Sequence, residues 1–182
     1  MKRAIFVVAA LILTGCSSPE PVAMPEQVAV KGEVISCDSI TSDKSITKGI
    51  TIECLDGSAG ASMESLRGPM IINVWGSWCS TCLAETPEFV SFYKKAKGKV
   101  QLVGVAVEES SPDNSRKFII ENGMTWPSFY DRENKTRSYF GMGVPVTWFI
   151  DAAGKVTFKK IGEVKSEQEL IDLTEKYLGV KI

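Results

Sequence analysis

Two cysteines with two residues between them give this sequence its most reactive group. Cys79 and Cys82 stand in the stretch "VWGSWCSTCLAETP", directly after a short apolar run. A cysteine pair with this spacing can serve disulfide exchange, metal binding, haem attachment or a structural disulfide. The thiolate is the form of cysteine that attacks a disulfide or binds a metal. The residues around the pair therefore have to distinguish these kinds of chemistry.

The lack of histidine argues against some of these kinds of chemistry. The 182-residue sequence has five cysteines and no histidine. Covalent haem attachment needs a histidine directly after the second cysteine, where this sequence has Leu83. A structural zinc site usually takes four ligands from two close pairs, whereas Cys37 and Cys54 lie far apart. An iron–sulfur site is allowed by the number of cysteines, but the spacing fits no common pattern. The pattern favours redox chemistry and predicts no metal and no cofactor.

The first residues are typical of an exported protein. Lys2 and Arg3 precede an apolar run over 4–13 that is too short to span a bilayer. The run ends in "LTGC", which resembles a bacterial lipobox and predicts cleavage of a signal peptide over 1–15 with lipid attachment to Cys16. The alternative is an ordinary secretory signal with an incidental cysteine. The predicted location is the extracytoplasmic face of the cell membrane.

The stretch after Cys16 predicts a tether rather than a folded element. Residues 16–30 are rich in proline and include "SSPEPVAMPEQ", a composition typical of an extended linker. Residues 31–182 then form a single predicted domain. The net charge of −1 at pH 7 gives no basic surface for nucleic acid.

The elements around the cysteines predict a β-α-β unit. Ile71 to Trp75 and Val100 to Val107 are apolar runs typical of buried parallel strands. Between them, apolar residues recur along one helical face, and Gly98 follows the last of them. The cysteine pair therefore falls at the start of the helix. Unpaired N–H groups and the helix dipole stabilise a thiolate there, and such cysteines have pKa values of about 3.5 to 7.5.

The rest of the domain predicts an α/β fold with a central mixed sheet covered by helices on both faces. Ser111 and Pro112 open a helix that Gly123 ends, and Ser166 to Glu169 form a capping box for the last helix. Further predicted elements are an extended piece over 126–131, a second helix over 132–140, and a hairpin of strands over 144–151 and 156–161.

These motifs resemble the thioredoxin superfamily, and within it the membrane-tethered TlpA/ResA/DsbE-like group. Trp75 and Trp78 match the family's tryptophans, while Glu85 and Pro87 match the group's pattern after the cysteines. The segment "GVPVTWFID" matches the family's cis-proline segment, and the similarity covers about residues 50–180. The resemblance implies a thioredoxin-like fold with an added N-terminal β-hairpin.

The resemblance also implies a place for substrate docking. Pro145 would be cis and face the cysteines, where it would prevent metal binding. The backbone of Val144 would meet a substrate strand, and Trp78 would border the docking surface. The alternatives are a trans proline at the edge of the sheet and ordinary partial burial of the tryptophan.

The position of the cysteines and the resemblance to this group predict three catalytic residues. Cys79 is the attacking cysteine and Cys82 resolves the mixed disulfide. Thioredoxin carries a buried aspartate six residues before its first cysteine, where this sequence has Asn73. Glu85, three residues after Cys82, would exchange a proton with Cys82 if it is buried. The alternative is a solvated glutamate that only supports the helix.

Cys37 and Cys54 precede the core of the fold, where the group carries its hairpin. With Cys16 assigned to lipid, four cysteines remain, and they allow three pairings. A Cys37–Cys54 disulfide would close a loop worth about 3 kcal/mol, and it is predicted as structural. The alternative is a second redox-active pair.

The implied function is that of an extracytoplasmic thiol–disulfide oxidoreductase exchanging two electrons with exported or membrane-associated proteins. One job in the group is reduction of apocytochrome c during cytochrome c maturation, which needs a membrane electron donor. The other is oxidation or isomerisation of disulfides in exported proteins, and Ser80 and Thr81 do not decide between the two. A rival class is a non-catalytic copper-binding lipoprotein, which usually adds a histidine that this sequence lacks.

Overall fold

A computed structural model describes residues 31–182 of the chain. The predicted signal peptide over 1–15 and the predicted tether over 16–30, including Cys16, lie outside these residues. Within 31–182, no helix combines the length and apolar character needed to cross a membrane.

A seven-stranded mixed sheet forms the centre of the domain, in the order β2-β1-β5-β4-β3-β6-β7. Its strands are β1 (Thr51–Cys54), β2 (Ala61–Ser62), β3 (Met70–Trp75), β4 (Gln101–Val107), β5 (Ser128–Asp131), β6 (Val146–Ile150) and β7 (Val156–Ile161). The central strands β3, β4 and β5 are parallel, and the strands on either side of them pair antiparallel. The helices are α1 (Ser80–Ala96), α2 (Pro112–Glu121), α3 (Arg137–Phe140) and α4 (Glu167–Leu178).

Alternation along the buried strands separates two apolar cores. On β3, Ile71 and Trp75 point to one face of the sheet and pack with side chains of α1, α2 and α4. Ile72 and Val74 point to the other face, where α3 and the segment before β3 cover the sheet. Because both faces are covered, β3 reads as a continuous apolar run with one polar residue, Asn73.

The N-terminal hairpin of β1 and β2 widens this sheet. Thr51 pairs with Ser62 within the hairpin, and Cys54 pairs with Phe129 of β5. The hairpin is therefore continuous with the main sheet.

The predicted second helix over 132–140 is wrong in its extent, because α3 covers only Arg137–Phe140. The buried carboxylate of Asp131 accepts hydrogen bonds from the Thr136 N–H at 2.7 Å and the Thr136 hydroxyl at 2.6 Å. Asn134 takes a positive φ of 54°, which a continuing helix does not allow. A side chain that binds the backbone of the following turn competes with helix formation there.

Candidate functional site

Helix α1 begins at the cysteine pair, and Cys79 is its N-cap residue. A disulfide joins Cys79 to Cys82, and the Cys79 sulfur accepts the Cys82 N–H at 3.1 Å. Cys79 is 6% exposed and Cys82 is 1% exposed, so the second cysteine is the more buried of the two. On reduction, the N–H groups of the first turn would face the Cys79 sulfur and stabilise its thiolate.

The loop before β6 forms the opposite wall of the site. The Val144–Pro145 peptide bond is cis, and the Val144 carbonyl oxygen lies 3.9 Å from the Cys79 sulfur. Of the three predicted docking residues, Val144 thus contacts the Cys79 sulfur, Pro145 follows Val144 through the cis bond, and Trp78 directly precedes Cys79.

Exposed apolar side chains lie on the segments that carry the cysteines and Pro145 and on the end of β7. Among the described residues, the exposed large hydrophobic side chains are Trp78, Leu83, Met142 and Ile161. Trp78 and Leu83 flank the cysteines, Met142 lies in the loop before Pro145, and Ile161 is held nearby because the Gly162 N–H donates to the Pro145 carbonyl. We call these four residues the apolar rim. Its Trp78 is 55% exposed and borders a small groove that continues to Phe140.

Glu85 lies on the inner side of α1 and is only 1% exposed. Its Oε1 accepts the Asn73 Nδ2–H at 2.8 Å, and its Oε2 accepts the Val164 N–H at 2.8 Å. Burial raises the pKa of Glu85 to about 7, although both hydrogen bonds favour its charged form. A carboxyl group with this pKa exchanges protons near neutral pH. It lies one helical turn beyond Cys82, so its burial meets the condition set for its predicted proton role.

In the sequence, Asn73 is notable only because thioredoxin has an aspartate at that position. The structure adds its hydrogen bond to Glu85, which the sequence does not predict. The two residues lie on β3 and α1, and the third partner, Val164, comes from the loop before α4. Neither spacing nor periodicity relates Val164 to the other two.

Glu109 is a residue of the site that sequence reasoning missed. Its carboxylate accepts the Ser77 N–H at 2.5 Å and the Ser77 hydroxyl at 2.8 Å, which fixes the loop just before Cys79. Glu108 precedes it with a positive φ of 54° and donates its N–H to the Asn134 side chain at 3.1 Å. A signal was available, because neighbouring parallel strands β3 and β4 end side by side, so the residues that follow them meet.

A second disulfide joins Cys37 and Cys54, and it is separated from the site by strands β5 and β4. It ties the segment before the hairpin to β1. Both cysteines are buried, at 7% and 3% exposed, and their sulfurs lie 3.6 and 3.7 Å from the Ser128 carbonyl oxygen.

Comparisons with known proteins agree with this architecture. Residues 42–175 match the model of the Redoxin family. The chain is 30% identical over 141 residues to thiol-disulfide oxidoreductase ResA of Geobacillus thermodenitrificans (strain NG80-2), covering 74% of this chain and 79% of that protein. It is 31% identical over 109 residues to the ResA of Bacillus thuringiensis (strain Al Hakam), covering 58% of this chain but only 62% of that relative.

A solved structure shows the same fold. StoA from Bacillus subtilis superimposes with a TM-score of 0.59 at 25% identity, covering 71% of this chain and 98% of StoA. Fold and site together define a thioredoxin-like protein of the TlpA/ResA/DsbE-like group, which confirms the predicted class. The chain belongs to the Redoxin family.

Proposed function

We propose that this protein is an extracytoplasmic thiol–disulfide oxidoreductase that exchanges two electrons with other proteins through Cys79 and Cys82. The observation that carries the proposal is the Cys79–Cys82 disulfide at the N-terminus of α1, in contact with Val144 and directly preceded by the exposed Trp78. The proposal includes export by residues 1–15, lipid attachment at Cys16 and a tether over 16–30 that holds the domain at the membrane.

The exchange runs in two displacements. The Cys79 thiolate of the reduced protein attacks one sulfur of a partner disulfide, which forms a mixed disulfide and releases the other partner sulfur as a thiolate. Cys82 then gives its thiol proton to the Glu85 carboxylate, and the Cys82 thiolate attacks Cys79. The second partner sulfur leaves as a thiolate and takes a proton from water. Two electrons have passed to the partner, and the reverse sequence oxidises a partner dithiol.

The apolar rim supports a protein partner rather than a small thiol. Trp78 directly precedes Cys79, and Ile161 precedes the glycine that hydrogen-bonds to Pro145; both are exposed, and exposed apolar patches commonly mark protein interaction sites. The contact of the Val144 carbonyl oxygen with the Cys79 sulfur supports docking of an extended partner segment along the Val144 backbone. We infer that the partners are the thiols or disulfides of exported or membrane-associated proteins.

Reduction of apocytochrome c during cytochrome c maturation is the first candidate job. The Asn73–Glu85 pair supports it, since this combination resembles the ResA-like branch of the group. A reductase of this kind needs a membrane electron donor to return Cys79 and Cys82 to the dithiol.

Oxidation or isomerisation of disulfides in exported proteins is the alternative job, and one contact favours it. The Thr81 hydroxyl lies 3.3 Å from the Cys79 sulfur. A hydroxyl that donates to the thiolate stabilises the reduced protein, and this makes the disulfide a stronger oxidant.

Copper binding without catalysis is the remaining alternative. Within residues 31–182, no group of three or more cysteine or acidic side chains is arranged to hold a metal ion, so this function would rest on Cys79 and Cys82 alone. Stoichiometric Cu(I) binding together with no reduction of insulin disulfides would favour it over exchange.

Trapping the protein in cells tests the proposal. Acid quenching followed by alkylation should find Cys79 and Cys82 mainly reduced if the protein is a reductase, and mainly oxidised if it is an oxidase. A C82S variant should accumulate mixed disulfides through Cys79, and the C79S/C82S variant serves as the control. If C82S traps no partner, the exchange mechanism is wrong.

A further inference from the structure

A row of polar residues crosses the sheet beneath α1. Asn73 of β3 pairs in register with Thr147 of β6, and Thr147 pairs in register with Lys160 of β7. Residues in register on adjacent strands point to the same face of a sheet. This row therefore leads from Glu85, which Asn73 contacts, towards the half-buried ammonium of Lys160.

Most of the row is closed off from solvent. Asn73 is 4% exposed and Thr147 is fully buried, and the Thr147 hydroxyl has no hydrogen-bond partner among the described residues. Apolar side chains, including Ile71 and Phe149, surround these groups on the same face. Charges act more strongly on one another in such surroundings than in water.

Glu169 of α4 fixes the open end of the row. Its Oε1 lies 2.8 Å from the Lys160 ammonium, and its Oε2 accepts the Lys165 N–H at 2.7 Å. The neighbouring residue in that loop, Val164, donates its N–H to Glu85. One acidic side chain thus holds both the cation and the loop that binds Glu85. Burial opposes ionisation of Glu169, but its hydrogen bonds with Lys160 and Lys165 prevail and lower its pKa.

We propose that Lys160, held by Glu169, is a positioning residue for Glu85 that stabilises its carboxylate and so controls when it takes the proton of Cys82. This inference rests on the function proposed above, and it concerns the proton that Cys82 loses before attacking Cys79. The proton moves from the Cys82 sulfur to Glu85 and later leaves to water. The Lys160 ammonium keeps its own proton throughout.

The titratable and charged groups on the elements next to Glu85 come from several parts of the fold. Cys82 lies on α1 with Glu85, and Cys79 is the N-cap of that helix. Asn73 on β3 and Thr147 on β6 carry no charge, whereas Lys160 on β7, Glu163 and Lys165 in the following loop, and Glu169 on α4 are charged. Burial is the main cause of the raised pKa of Glu85; among the charges, Glu163 raises this pKa and Lys160 lowers it, each by less than the hydrogen bonds from Val164 and Asn73 do. Loss of the lysine charge therefore leaves burial and Glu163 to disfavour the carboxylate.

A single-turnover reaction with an aromatic disulfide, 5,5′-dithiobis(2-nitrobenzoate), separates the two displacements. The full-length reduced protein in detergent releases one thiolate when Cys79 attacks and a second when Cys82 resolves the mixed disulfide. We expect K160M to slow the second release about threefold at pH 7, with the wild-type rate regained near pH 9, because less Glu85 is ionised at neutral pH. K160R should restore the wild-type pH profile.

Lys159 supplies a matched control on the same strand. Its ammonium lies 4.1 Å from the centre of the Trp148 ring, on the opposite face of the sheet, so K159M should leave the profile of the second release unchanged. If K159M moves the pH dependence of the second thiolate release to higher pH as far as K160M does, the inference is wrong. A K160M variant that unfolds at a lower temperature but keeps the wild-type pH profile would reduce Lys160 to a structural role.

The E85Q variant separates failure of this inference from failure of the proposed mechanism. If E85Q keeps the wild-type pH dependence of the second release, the proton role of Glu85 itself is wrong. If E85Q removes that dependence but K160M leaves it in place, only the role of Lys160 is wrong. In the E85Q background, K160M should have no further effect on the second release.

Discussion

The two disulfides of this domain have similarly buried sulfurs but different surroundings. Cys79 caps a helix of 17 residues, contacts a hydroxyl and borders the apolar rim. Cys37 and Cys54 join a chain segment to the sheet, and carbonyl oxygens of Ser128 and Ile35 lie beside the Cys54 sulfur. Each disulfide has one sulfur that accepts a backbone N–H at 3.1 Å and lies within 4.0 Å of a carbonyl oxygen, so these contacts do not distinguish the two. Only Cys79 lies at a helix N-terminus, which favours its thiolate. The helix N-terminus, the Thr81 hydroxyl and the exposed apolar side chains therefore support the proposal that Cys79 and Cys82 carry out exchange and that Cys37 and Cys54 have a structural role.

The largest expected difference between the disulfides is in activity. C79S should lower the rate of insulin disulfide reduction by about a thousandfold or more, since it removes the attacking sulfur. The C37A/C54A double variant should keep a rate within a few-fold of the wild type. A comparable loss of rate in C37A/C54A at a temperature where it is folded would make Cys37 and Cys54 a second redox pair.

The free energy of unfolding should depend more on the Cys37–Cys54 disulfide than on the Cys79–Cys82 disulfide. The Cys37–Cys54 disulfide spans a sequence separation of 17, and in the chain-entropy model a loop of this size contributes about 3 kcal/mol to the free energy of unfolding. C37A/C54A should lose about that amount in urea unfolding. C79A/C82A serves as the control, because its sequence separation of 3 constrains the unfolded chain much less. An equal loss of unfolding free energy in both variants would show that the Cys37–Cys54 disulfide has no special role in stability.

A buried proton acceptor is a further difference between the two disulfides, and it predicts a pH effect on stability. Glu85 has its folded-state pKa raised from 4.5 to about 7 by burial. The folded protein therefore binds the Glu85 proton more tightly than the unfolded chain does. The stability that this difference contributes is fully present below about pH 4.5 and is lost as the pH rises through 7.

The E85Q variant mimics the protonated group and should not show this loss. Between pH 4 and pH 8, the free energy of unfolding of the wild type should fall relative to E85Q by no more than about 3 kcal/mol. Urea unfolding of both proteins at each pH measures the difference. Parallel pH dependences for the two proteins would show that Glu85 titrates normally.

The parts of this site differ in how far the sequence predicts them. The β3–α1–β4 unit follows from apolar runs, a helical repeat and a cysteine pair that are all local, so the position of Cys79 at a helix start was predictable. The partners of Glu85 were not, because Val164 is 79 positions away and only the packing of α4 brings its loop to α1. The overlong helix predicted over 132–140 has a different, local origin, since the Asp131 side chain binds the backbone of the following turn and overrides the helical pattern.

The smallest expected effect concerns the Thr81 hydroxyl, which contacts the Cys79 sulfur. T81V keeps the size of the side chain but removes the donor 3.3 Å from the Cys79 sulfur. The thiolate is then less stable, so the equilibrium with glutathione should shift about threefold towards the disulfide form. Alkylation of the protein equilibrated in glutathione buffers measures this constant.

Ser80 provides the control for that measurement, because it occupies the other position between the cysteines and is exposed like Thr81, whereas the contact with the Cys79 sulfur is made by Thr81. S80A should leave the equilibrium with glutathione within error of the wild type. If T81V behaves like S80A, the Thr81 hydroxyl does not tune the disulfide, and the contact ceases to favour the oxidase over the reductase. If T81V shifts the constant as expected, the stronger oxidant is the wild-type protein, because one local hydroxyl stabilises its thiolate.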